Sequence, residues 1–460
     1  MRNDPTRRAL LRTGLQIGGG AAALGALPGL ASLASAQTGN TGYKALVCVY
    51  LGGGLDNFDT VIPTSDADHA VWAEARAPLL AAYDAANDAS RRRENLLPLG
   101  TQADGRSFGL PTSLAPLHEL YGAGRAAVVA NVGPLLGPSD RTALRTGRVS
   151  QPPHLMSHID QRTFWHTSSV ERAATGWGGR MMDAAREASP YAAISLTGVT
   201  SFVTGTGSQP LVVAPSGVRA VRHTQNWAFG SREVPALLKA HYGASAAGLD
   251  NHLASDLQGR RRQTVETFAR LGELLQDDAT GDEIAQDGND LSAQLAMVAK
   301  IMGHRQALGV ERQVFFVEMR GFDTHADQAR DLPVLQAKVA QAISAFYRHT
   351  VAHGLAQDVT TFTASDFGRT LRPNASGTDH GWGGHHFVVG GSVRGGRIVG
   401  SMPEAGFDHE QNFDRRGRLI PTLSTDQFAA GLGDTLGLSR SDLREALPTI
   451  DRFDAAPTLT

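Results

Sequence analysis

The chain has 460 residues, a formal net charge of −2 and one cysteine, Cys48. That near-neutral balance leaves no basic excess to hold nucleic acid or an anionic surface, and a lone cysteine permits no intramolecular disulfide. At the N-terminus, Thr6-Arg7-Arg8-Ala9-Leu10-Leu11-Arg12 leads into a Gly/Ala/Leu stretch that closes in Ala34-Ser35-Ala36. A charged start, a modest apolar middle and an A-x-A end predict a cleavable signal over residues 1–36, of twin-arginine type. Its removal takes away four arginines and one aspartate, moving the net charge from −2 to −5. Gly18-Gly19-Gly20 and Pro28 interrupt the apolar stretch, so no stable membrane insertion is expected; a span needs roughly 20 apolar residues. The expected partner is the twin-arginine translocase, and the expected location is the periplasm or beyond.

The remaining residues, 37–460, read as a single domain. A strand is predicted at 45–51, with Cys48 a buried small hydrophobe inside it. An Ala-rich helix follows at 75–94, then a helix at 113–124 with Leu114, Leu117 and Leu120 on one face, then the strand Ala126–Val132. Residues 190–245 are rich in Ser, Gly and Thr and read as a β-prone excursion from the main sheet. Helical pattern returns at 259–276 and 291–307, separated by an acidic, turn-rich loop at 277–290. The apolar run Val314–Val317 is a strand, and so is Val359–Thr363. Between them, a helix at 332–352 keeps Leu332, Leu335, Val339, Ile343 and Phe346 on one face, and Gly354 closes it. Strands alternating with helices in this way predict an α/β fold around a mostly parallel sheet. The crossover helix is expected to bring Asp323 and Asp366 to neighbouring strand ends.

Ligands in open α/β sheets bind beyond the carboxyl ends of the strands, and the chain concentrates carboxylates and imidazoles there. Gly52-Gly53-Gly54-Leu55-Asp56 follows the first strand; Asp56 projects into the crevice or caps a turn. Asp323-Thr324-His325 follows the third apolar run, and two such groups at one strand end can reach one cation. Ser365-Asp366-Phe367-Gly368-Arg369 adds a carboxylate and an arginine suited to pairing an oxyanion. Asp379-His380, with His385 and His386 close behind in a Gly-rich loop, supplies further metal-ligand types. Met156-Ser157-His158-Ile159-Asp160-Gln161 reads as a helix N-cap or as a nucleophile beside a metal; Ser139 is its rival.

At these residues the chain resembles domain-of-unknown-function family 1501, a twin-arginine-exported bacterial family with a wider likeness to alkaline phosphatases, sulfatases and cofactor-independent phosphoglycerate mutases. The matching segments are the arginine pair, Gly52-Gly53-Gly54-Leu55-Asp56, Met156–Gln161, Gly176-Trp177-Gly178-Gly179-Arg180, Gly321–His325, Ser365–Arg369 and Gly377–Gly383. The resemblance implies an alkaline-phosphatase-like three-layer sandwich with helices on both faces of the sheet. It further implies an exported metal-dependent hydrolase of small phosphate or sulfate esters. Its metal set is Asp56, Asp323, His325, Asp366, Asp379 and His380, holding one or two divalent ions, zinc foremost, with calcium, magnesium or manganese as alternatives. Ser157, His158 and Arg369 are the implied catalytic groups. One departure stands out: Phe367 replaces the histidine that a second ion needs, with His385, His386 or Asp379 as substitutes. The alternative reading is a non-catalytic exported binding or assembly protein with a degraded metal site.

Overall fold

Alternation in Lys44–Gly52 (β1) sends Ala45, Val47, Val49 and Leu51 to one side and Leu46, Cys48 and Tyr50 to the other, and both sides are buried. A strand apolar on both faces belongs in the middle of a covered sheet, and β1 lies there. This computed structural model describes residues 42–169, 173–218, 231–244 and 251–460, and Gly42–Thr460 forms one unit. The expected signal at 1–36 lies outside the described residues.

The other strands of the main sheet are Ala126–Gly133 (β2), Ala193–Ser195 (β3), Leu211–Val212 (β4), Arg312–Arg320 (β5), Val359–Ser365 (β6), Gly384–Gly390 (β7), Ile398–Val399 (β8) and Leu423–Ser424 (β9). Their order is β8-β2-β7-β6-β1-β5-β3-β4, with β9 also pairing β2. Only β7 runs against its neighbours. One face is covered by Ala115–Gly122 (α1), Asp290–Gly303 (α5) and Gln328–Ala352 (α6), which press Leu117, Leu295, Val339, Ile343 and Phe346 onto Val47, Val49 and Val317. The other is covered by His158–Thr167 (α2), Trp177–Ala184 (α3), Thr425–Thr435 (α7) and Arg440–Ala446 (α8), through Trp165, Trp177, Met181, Phe428 and Leu443. His252–Leu275 (α4) buries only Thr267 and Leu271. The expected α/β sheet with helices on both faces is therefore the architecture observed.

Several expectations shift. The helix expected at 75–94 is two helices, Asp66–Ala75 and Ala77–Ala85, which break at Arg76. The reason is visible in Arg76, whose buried side chain turns inward to Asp56 and Asp59. Within the expected excursion at 190–245, the described pieces β3 and β4 join the main sheet as an edge. Helix α6 begins at Gln328, four residues before the expected start, and carries Pro333 inside. Proline marks a first turn in sequence, which hid the earlier start. Finally, β1 lies between β5 and β6, pairing with both. Asp323 and Asp366 thus follow strands separated by one, not neighbouring strands.

Candidate metal centre

The carboxyl ends of β1, β5 and β6 open on one side, and the turns after them are packed backbone to backbone. A Cβ on Gly53 would lie 2.4 Å from the Asp323 amide nitrogen, and its φ is +121°. One on Gly54 would lie 2.5 Å from the Phe367 ring, at φ +96°. Only glycine tolerates both the conformation and the approach, so these glycines seat Asp323 and Phe367 rather than a ligand. A hairpin, Arg369–Pro373 against Thr378–His380, pairs Arg369 with His380. The Thr378 amide donates to the Thr324 carbonyl at 3.0 Å, which brings His380 beside His325.

Three donor atoms then converge. Asp323 Oδ1 lies 3.1 Å from His325 Nε2 and 3.2 Å from His380 Nε2, and the two nitrogens are 2.8 Å apart. Bonds of about 2.0–2.1 Å to a tetrahedral zinc-like ion place ligand atoms about 3.4 Å apart, close to this triangle. His158 stands on the far oxygen, its Nε2 3.4 Å from Asp323 Oδ2. A looser group, His158, Asp323 and His380, keeps its donor atoms within 4.8 Å of one another.

Each imidazole is held from behind. His380 Nδ1 donates to the Met156 carbonyl at 2.8 Å; His325 Nδ1 faces Asp379 Oδ1 at 3.3 Å; His158 Nδ1 faces Asp366 Oδ2 at 2.8 Å. An acceptor behind each Nδ1 fixes the ring and leaves its Nε2 turned toward Asp323, where the neutral ring would offer a ligand atom. Two imidazole nitrogens at 2.8 Å with a carboxylate oxygen beside them are satisfied by a shared proton or by a cation among them. The residues therefore fit a divalent ion, with orienting partners of the kind that metal-bound histidines use.

Electrostatics reinforce this arrangement. Burial raises the Asp323 carboxyl, but Arg369, with His325 and His158, outweighs it and holds the group below the ordinary carboxylate range. Burial, chiefly, pushes His380 below the usual imidazole range, toward the neutral form a metal ligand needs. Asp379 is likewise raised by burial but brought lower by Asn374, Arg416 and His325.

The remaining expected site residues divide by place. Asp366, only 3 % exposed, gives its oxygens to the Tyr50 hydroxyl (2.6 Å), the Gly53 amide (2.9 Å) and His158. It orients a histidine instead of joining the triangle. Asp56 caps the turn Asn57–Asp59 by accepting from the amides of Phe58 and Asp59, while its other oxygen takes Arg76, Gln328 and Thr378. It is a buried structural cap. Arg369 is wholly buried; through Nε and Nη2 it donates to Gly54 O, Phe322 O and Asp323 Oδ1 and so anchors the ligand, while its Nη1 is buried without a partner. Ser157 caps α2 and donates to Asp160, and Ser139 donates to the Gly137 carbonyl. His385 and His386 belong to the core: His385 Nδ1 accepts the Asn131 amide, and His386 packs on Trp165 and Phe428. Neither replaces a missing ligand. Tyr50, the Met156 carbonyl and Arg416 complete the surroundings; no spacing in the sequence ties them to the site, because each meets it only through tertiary contact.

The family described as "Protein of unknown function (DUF1501)" matches residues 43–424. No curated protein matches the chain. Among solved structures, that of a 2-O GAG sulfatase matches at 9 % identity and a TM-score of 0.27, over 86 % of this chain and 71 % of that one. So loose a likeness transfers no chemistry, which rests on the side chains above.

Proposed function

For a chain that belongs to the DUF1501 family, we propose an exported hydrolase of phosphate or sulfate esters that depends on a divalent cation held by Asp323, His325 and His380. The observation that carries this reading is the triangle of three acceptor atoms, each imidazole pinned through Nδ1. Two histidines and one carboxylate leave a coordination position open, as catalytic centres do. When bound, the ion supplies Lewis-acid polarisation of an ester oxygen and shields the developing charge. The protein's part is to hold that position: Arg369 fixes Asp323, Asp379 fixes His325, and the Met156 carbonyl fixes His380. The ester class is supported by the sequence resemblance of the Gly321–His325, Ser365–Arg369 and Gly377–Gly383 segments, and export by the arginine pair.

Purified protein, after dialysis against zinc and then metal-free buffer, is expected to retain zinc by elemental analysis and to cleave aryl phosphate or aryl sulfate. His325→Ala and His380→Ala are expected to lose both. A wild-type protein that retains no zinc, nickel, manganese or calcium overturns the reading. A second reading, an exported binding protein, is favoured by the engagement of the Ser157 hydroxyl with Asp160. Retained metal without turnover of either ester selects it.

A further inference from the structure

Resting on the metal-centre reading above, we infer that Gln328 is a positioning residue, which sets the spacing of the triangle by clamping its two halves together. Those halves come from separate segments: Asp323 and His325 from the turn after β5, and His380 from the hairpin beyond β6. Gln328, fully buried at the start of α6, touches both. Its Oε1 accepts the hydroxyl of Thr324, which stands between the two ligands of the turn, at 3.0 Å. The same oxygen accepts the hydroxyl of Thr378, two residues before His380, at 2.8 Å. Its Nε2 donates to Asp56 Oδ2 at 2.7 Å and to Asp59 Oδ2 at 2.9 Å. A primary amide has two donor hydrogens and two acceptor lone pairs, and all four are used here. The orientation is forced as well, because turning the amide over would set its oxygen against two carboxylate oxygens.

The backbone closes around the same point. The Gln328 amide donates to the Ser376 carbonyl at 3.0 Å, and the Thr378 amide to the Thr324 carbonyl at 3.0 Å. A Cβ on Gly377 would lie 2.2 Å from that Thr324 oxygen, so the hairpin is pressed onto the turn. Arg76 holds Asp56 and Asp59 from their other side, which anchors the clamp in a buried ion pair. Gln336, two helical turns further along α6, makes the contrast. Its Oε1 accepts Arg91 Nη2 at 2.6 Å and Ser113 Oγ at 2.7 Å, while its Nε2 donates to Asp59 O at 3.1 Å and Thr60 Oγ1 at 3.2 Å. Removing either glutamine leaves buried polar groups unpaired and lowers stability. Of the two, Gln328 alone bonds to the segments that carry ligands.

The test measures zinc affinity by chelator competition in full-length mature protein, the visible spectrum of the cobalt-substituted form, and urea unfolding of the metal-free form. Gln328→Met keeps the length of the side chain without its hydrogen bonds. Its zinc Kd is expected to rise about 10–100-fold, with an altered cobalt spectrum. Gln336→Met is expected to unfold at a similarly lowered urea concentration yet keep the wild-type zinc affinity and spectrum, which separates positioning from lost stability. Thr324→Val and Thr378→Val each remove one arm of the clamp and are expected to weaken zinc binding about 2–10-fold. Thr324→Ser and Thr378→Ser keep the hydroxyl and are expected to bind as wild type does. Thr378→Val added to Gln328→Met is expected to weaken binding no further, since both act through one contact. Wild-type affinity and spectrum in Gln328→Met overturn this inference while leaving the metal centre in place, and so does an equal loss of affinity in Gln336→Met. If Gln328→Met does not fold, unchanged affinity in both valine variants overturns it. A wild-type protein that holds no ion removes the metal-centre reading itself, and this inference with it.

Discussion

His386 shows what burial does to an ionisable side chain with no charge to balance it. It lies in β7 with its ring against Trp165 and Phe428, and its Nδ1 has no partner. Burial, with His385 beside it, pushes its pKa down to about 3. The unfolded chain therefore binds a proton near pH 6.5 that the folded chain refuses, and stability falls as pH drops from about 6.5 towards 3. Between pH 7 and pH 5 that amounts to about 2 kcal/mol for this residue. His386→Phe keeps the aromatic packing and removes the titration. Urea unfolding at both pH values is expected to show the variant losing about 2 kcal/mol less than wild type over the interval. Asp426, raised by burial to about 6, works in the opposite direction, but equally in both proteins, and cancels in the comparison. Equal losses in the two proteins would mean that His386 stays protonated when folded, and the packing described for it would be wrong.

At the scale of elements, the turns after β1, β5 and β6 decide the site, and the sequence exposes them unevenly. Strand ends were legible because Leu46–Leu51 and Val314–Val317 are apolar on both faces, which only an interior strand sustains, and because Val359–Thr363 is a β-branched and aromatic run. Helix α6 was legible through its spaced Leu332, Val339, Ile343 and Phe346. The roles of Asp56, Asp366 and Arg369 were not, because a carboxylate at a strand end looks the same whether it caps a turn, orients a histidine or binds an ion. Only Arg76, Tyr50 and Gly53, meeting them across the fold, distinguish these cases. The hairpin Arg369–His380 was also hidden, since its short, mostly polar arms carry no apolar alternation. Gly53 tests how far these turns act together. Gly53→Ala forces a Cβ against the Asp323 amide at a positive φ, and such strain costs about 1–3 kcal/mol. The variant is expected to unfold at lower urea concentration and to bind zinc more weakly in a chelator-competition titration, because Asp323 must move. Lowered stability with unchanged zinc affinity would separate the turn from the centre and reject the coupling.

For the whole molecule, the distances in sequence between the site's parts constrain the order of events in the cell. Asp323 and His325 follow β5, His380 lies in a hairpin beyond β6, and their orienting groups include Met156 and Asp379. No short peptide contains the triangle, so a metal centre of this kind forms only after β1, β5 and β6 have paired and α6 has packed over them. Under the proposed reading, a chain loaded with its ion would cross the membrane folded, and the arginine pair at Arg7-Arg8 is proposed as the signal that such transport reads. Lysine keeps the charge but not the planar guanidinium fork. Arg7→Lys with Arg8→Lys is therefore expected to leave the precursor in the cytoplasm, folded and carrying zinc, with no processed chain beginning at Gln37 outside it. Fractionation followed by N-terminal sequencing and elemental analysis of the retained protein reads both halves of this expectation. Unaltered export would remove the twin-arginine route. Retention of a precursor devoid of metal would instead place ion loading after transport, and the folded crossing would no longer be needed to deliver the ion.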